Sequence, residues 1–72
     1  MKASSYHLSR SEWEFLIYQW IFSERNRAII TRSLLDGRTY EQIAEEFGIS
    51  TQRAQGIVHE CQKLLQKQVK SE

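Results

Sequence analysis

Apolar positions recur along this chain at helical spacing, and no stretch alternates as a strand requires. Short polar stretches divide them into four runs. Before the first stands Leu8-Ser9-Arg10-Ser11-Glu12-Trp13, where Ser9 can cap a helix and Glu12 completes a capping box. Leu8 and Trp13 occupy the hydrophobic-staple positions, and a first helix is predicted over residues 10–22. A second is predicted from Glu24 to Leu35, capped by Ser23 and stopped at Asp36-Gly37. Its buried stripe is Ala28, Ile29 or Ile30, and Leu34 or Leu35. Thr39 opens a third helix with Gln42 as its capping-box partner. Ser50 caps a fourth that runs to about Gln68, roughly 27 Å at 1.5 Å per residue. Met1 to His7 is short and polar and is expected to fray. The expected fold is therefore all-α, a small four-helix domain over residues 1–72 with a long last helix.

The stretch Tyr40 to His59, YEQIAEEFGISTQRAQGIVH, carries the most information. Ile43, Ala44 and Phe47 share one helical face, and Ala54, Ile57 and Val58 are spaced as a second helix needs. Gly48 lies between them, where the chain must turn sharply, and Ala44 is small where the two helices cross. This is the layout of a helix-turn-helix, which can project its second helix into the DNA major groove.

Composition narrows the setting more than the activity. Seventy-two residues, 40% of them hydrophobic, give a core near the lower limit for unaided folding. The lone Cys61 and the lack of a signal-peptide pattern point to a reducing, cytoplasmic location. Ten basic residues against nine acidic ones do not announce a nucleic-acid partner, but their distribution is uneven. From Ile49 to Lys70 the charges are Arg53, Lys63, Lys67 and Lys70 against Glu60, while the third helix carries Glu41, Glu45 and Glu46. No phosphate-cradling Gly loop, nucleophile elbow or metal-spaced cluster is present, so catalysis is not expected. His59 and Cys61 point about 200° apart on a helix and cannot share an ion, even with His7 as a third ligand. Neither a metal nor a cofactor is expected.

The segments Ser23-Glu24-Arg25-Asn26-Arg27-Ala28-Ile29-Ile30 and Leu35 through Ser50 resemble region four of bacterial sigma factors. The specific part is Gly37-x-Thr39-Tyr40-Glu41-x-Ile43-Ala44 followed by Phe47-Gly48-Ile49-Ser50, and the similarity continues through Arg53, Ile57 and Leu64-Leu65. The resemblance implies a module that binds double-stranded DNA through its last helix and that also touches RNA polymerase. It implies phosphate contacts for Thr39, Arg25 and Arg53, which match the family's positions. Where the family shows Arg-Glu-Arg-x-Arg-Gln, this chain has Thr51-Gln52-Arg53-Ala54-Gln55-Gly56, a departure from the usual base-reading set. With no promoter-melting region either, an isolated region-four-like transcription regulator of a bacterium or phage is expected.

If Ala54, Ile57, Val58 and Cys61 face inward, then Thr51, Gln52, Gln55, Gly56 and His59 face outward as base-reading candidates. Gln can bond adenine in two places, and Thr offers a methyl or a hydroxyl. Arg25, Arg38, Thr39, Ser50, Arg53 and Lys63 are the phosphate candidates; free amides at the helix start, at Ser50 and Thr51, also suit an anion. Gly56 is unusual, since mid-helix Gly costs about 1 kcal/mol relative to Ala.

Residues 13–22, WEFLIYQWIF, are apolar or aromatic at eight positions of ten. Trp13, Leu16, Ile17 and Trp20 form one stripe and Phe15, Tyr18 and Phe22 another. Ten residues are too few to span a bilayer. One small domain covers such a helix incompletely, so a homodimer interface is expected, with Trp13, Tyr18, Trp20 and Phe22 as its candidates. The competing reading is a protein-interaction module that uses this helix to engage RNA polymerase or another regulator.

Overall fold

Each of the four helices begins at a side-chain oxygen that accepts from one of the backbone amides a helix start leaves unpaired. A computed structural model describes residues 8–69. The expectation for Met1 to His7 lies outside the described residues. The helices are α1 (Arg10–Trp20), α2 (Glu24–Leu34), α3 (Tyr40–Phe47) and α4 (Thr51–Val69), and the described residues contain no strand.

Ser9 Oγ accepts from Glu12 N at 3.2 Å while Glu12 Oε1 accepts from Ser9 N at 2.8 Å, so the capping box of α1 is closed on both sides. Thr39 and Gln42 do the same for α3, at 3.1 and 3.0 Å. Ser23 and Ser50 cap α2 and α4 through the amides of Asn26 and Arg53. Gly48 ends α3 at φ 67 and ψ 36, a left-handed conformation that costs other L-residues about 1–2 kcal/mol.

Helix α1 stops two residues before the expected end. Ile21 is extended, at φ −108 and ψ 113, and its amide closes on the Ile17 carbonyl. Arg27 of α2 donates through Nε to the Ile21 carbonyl and through Nη2 to the Tyr18 carbonyl at 2.9 Å. Helix-end carbonyls need partners, and a guanidinium fork six to nine residues onward supplies them here.

Helix α4 packs against all three other helices, and α2 contacts both α1 and α3. Their shared core holds Trp13, Ile17, Ile21, Ile29, Ile30, Ile43, Val58 and Leu65, with Ala44 and Ala54 where α3 and α4 approach. Ile29 and Ile30 are both buried, and Ala28, Leu34 and Leu35 are half-buried. Leu8 packs on this core as a staple residue should. A chain of ion pairs fastens the outside: Arg10 reaches Asp36 at 3.0 Å, and Arg32 reaches Asp36 at 3.8 Å and Glu46 at 3.1 Å. Solvent screens such exposed pairs, so they orient the helices more than they stabilise them.

The two stripes of α1 separate. Trp13 and Ile17 are buried and Leu16 and Trp20 half-buried, whereas Phe15, Tyr18 and Phe22 are 64, 67 and 79% exposed. Trp13, at 0% exposure, is wholly enclosed by its own chain. That corrects its placement at a dimer interface, because a side chain with no free surface cannot meet a second copy. None of the described helices is long and apolar enough to cross a membrane.

Candidate nucleic-acid interface

Helix α4 buries Ala54, Ile57, Val58, Cys61 and Leu65 along one side. At about 100° per residue, Gln52, Gly56, His59 and Lys63 fall on the opposite side, with Gln55 and Thr51 along one edge. All six are exposed. Among the described residues, the side chains of Thr51, Gln52 and Gln55 make no hydrogen bond, so each is available to pair with an outside partner. His59 differs, because its Nε2 lies 3.4 Å from Tyr40 Oη.

The start of this face is electropositive. The helix geometry leaves the amides of Thr51 and Gln52 without an intrahelical acceptor, since Arg53 N is taken by Ser50 Oγ and Ala54 N by the Ser50 carbonyl. Arg25 of α2 joins Ser50, Gln52, Arg53 and Gly56 around one open depression beside them. Among the described residues, Arg10 and Arg32 enter ion pairs, while Arg25, Arg38, Arg53, Lys63 and Lys67 enter none. The cations with carboxylate partners are engaged in orienting the helices. The rest keep their charge available.

The other expected positions are more dispersed. Arg38 and Thr39 sit at the start of α3, and Thr39 Oγ1 is committed as an acceptor to Gln42 N while its hydroxyl can still donate outward. Lys63 lies two turns beyond Gly56, in a second depression with Glu60, Leu64, Gln66 and Lys67. Gly56 has no packing reason to be glycine, since a Cβ built there meets nothing within 4 Å.

Three features escaped the sequence reading. Tyr40 touches His59 from 19 residues away, a contact that no local pattern announces. Glu60 lines the depression with Arg25 and Arg53, so one carboxylate stands in the electropositive part of the face. Asn26 Oδ1 is buried without a hydrogen-bond partner beneath the same depression. The candidate ligands His59 and Cys61 face opposite ways, and burial, helped by Glu60, pushes the Cys61 thiol up to about 11, far from a reactive thiolate.

A family model described as Sigma-70, region 4, matches residues 22–67, which include α2, α3 and nearly all of α4 and leave α1 outside. No curated protein and no solved structure matches the chain. The matched segment contains the paired helices, the left-handed turn at Gly48 and the unpaired cations beside the α4 start. By that match over more than half its length, the chain belongs to the Sigma-70 region 4 family of DNA-binding helix-turn-helix domains.

Proposed function

We propose that this protein is a sequence-specific transcription regulator that lays α4 in the major groove of double-stranded DNA. One observation carries the reading. The side of α4 opposite its buried stripe presents polar side chains, and unpaired cations flank its N-terminal end. Thr51, Gln52 and Gln55 read bases, Gly56 lets the helix approach closely, and His59 continues the face. Arg25, Arg53 and the amides at the α4 start, with Ser50 as their cap, take one stretch of phosphate backbone. Arg38 and Thr39 serve another, and Lys63 steers from further along. The sequence of the usual sigma promoter element is not the expected target, because Thr, Gln and Gln stand where the family carries Arg and Glu.

The regulator, from a bacterium or phage, works as a homodimer in the bacterial cytoplasm. Tyr18 and Phe22, joined by Phe15 and half-buried Trp20, supply an exposed aromatic face on α1 and the residues just after it that a second copy would cover. Two copies about a twofold axis read a palindrome whose half-sites lie about one helical turn, or a multiple of it, apart. A second reading gives the same aromatic face to RNA polymerase, and a monomer that captures the polymerase would favour it.

The test is a mobility shift with random-sequence duplex at rising salt. The parent protein should bind more weakly as salt rises, and neutralising Arg25 or Arg53 should weaken all sequences alike and flatten the salt slope. No shift at low salt, or an identical slope in parent and variants, would overturn the proposed docking.

A further inference from the structure

Tyr40 opens α3, immediately after the cap residue Thr39, and its half-buried ring packs against the core from the α3 side. Its Oη lies 3.4 Å from His59 Nε2, and the two rings meet edge to face, with centroids 6.1 Å apart and planes at 84°. His59 occupies the exposed side of α4, one turn beyond Gln55 and two beyond Gln52. Of the five base-reading candidates, His59 has a side-chain partner among the described residues, whereas Thr51, Gln52 and Gln55 have none there and Gly56 has no side chain.

We infer that Tyr40 is a positioning residue that sets the base preference of His59; the inference rests on the proposed placement of α4 in the groove. A neutral imidazole carries one proton, and which nitrogen keeps it follows from the bond the other makes. The phenol is the stronger proton donor of the two and the imidazole nitrogen the stronger acceptor, so Tyr40 O–H donates to Nε2. The proton of His59 then resides on Nδ1, and the ring presents a donor outward. A donor pairs with the acceptors that guanine (O6 and N7), adenine (N7) and thymine (O4) present and is mismatched with the amino group of cytosine, so the preference it sets is one against cytosine. Without Tyr40 Oη the ring could rotate and exchange tautomers, offering donor or acceptor equally. A phosphate oxygen is the other acceptor within the same chemistry, and it would carry no base preference.

Selection from a random duplex pool with the parent, Tyr40→Phe and His59→Ala proteins tests this. The parent should exclude cytosine at one position beyond those lost in Gln52 and Gln55 variants. Tyr40→Phe keeps the ring and the packing, and it should lower that single preference roughly three- to tenfold while leaving binding to random duplex unchanged. His59→Ala, an exposed change that leaves the core intact, should lose the same preference, and the double variant should lose no more. Tyr40→Phe excluding cytosine as strongly as the parent would overturn the inference and leave the groove assignment standing. Equal weakening of random and selected duplex by His59→Ala would also overturn it, in favour of phosphate. A parent that selects no sequence would overturn the groove placement itself, and the inference with it.

Discussion

The Arg27 guanidinium lies 4.2 Å from the centroid of the Tyr18 ring, and its Nη2 donates to the Tyr18 carbonyl at 2.9 Å. One side chain of α2 therefore ends α1, holds its last carbonyls and covers part of its aromatic face. Charge-assisted bonds to carbonyls contribute about 1.5–3 kcal/mol, and an exposed cation–π contact about 0.5–1. Arg27→Ala should lower stability by about 1–3 kcal/mol. Arg27→Lys should recover only part of it, because an ammonium lacks the planar fork. Urea denaturation measures both, and an unchanged midpoint for Arg27→Ala would mean that packing alone holds the end of α1.

The aromatic positions of α1 should divide by exposure. Phe22→Ser removes apolar area at a 79%-exposed site and should yield a folded monomer, with light scattering near 8.6 kDa, whereas the parent should scatter near twice that mass. Trp13→Ala empties the centre of the core and should cost about 3–5 kcal/mol, enough to unfold a domain this small. A parent that stays at monomer mass at every concentration would remove the dimer.

Much of this architecture is legible because its causes are local. Ser9 with Glu12, and Thr39 with Gln42, satisfy each other across three residues, so the cap is written in adjacent letters. The stripes of α1 are equally local, but which stripe turns inward depends on how α2 and α4 receive it. For that reason the pattern alone places Trp13 at an interface, whereas the fold encloses it. The early stop of α1 depends on Arg27 meeting the Tyr18 and Ile21 carbonyls, and the His59 geometry on Tyr40, both set by tertiary packing. For the candidate site, the outward face of α4 followed from periodicity. Which cations remain unpaired did not, because Arg32 finds Glu46 on another helix.

Cys61 gives the fold an alkaline limit. Its thiol rises from an ordinary 9.0 to about 11 on burial, so between these values the unfolded chain ionises first. The contribution is whole below about pH 9 and is lost as pH climbs toward 11, at up to about 1.4 kcal/mol per pH unit. Cys61→Ala lacks this dependence, so its stability deficit relative to the parent should shrink between pH 8 and 10. Melting curves that stay equally separated across that range would exclude the thiol as the cause.

Gly56 offers a trade between stability and binding. A Cβ there meets no protein atom, so Gly56→Ala should stabilise α4 by about 1 kcal/mol. If the glycine serves close approach to DNA, the same change should weaken binding to the selected site. A rise in melting temperature with unchanged affinity would show Gly56 to be no part of the contact.

The most direct test of the account is the sequence selected from a random duplex pool by the parent and by Gln52→Ala and Gln55→Ala. Both glutamines are exposed, Gln52 opposite the buried stripe of α4 and Gln55 along its edge, and neither side chain makes a hydrogen bond among the described residues. Each replacement should cost about 1–3 kcal/mol of affinity for the selected site and relax preference at one base, adenine being the expected partner of a Gln amide. Folding and binding to random duplex should be retained, since the phosphate contacts remain. Variants that select the parental site with the parental preference at every position would contradict the account, because α4 would then not be the element that reads the DNA.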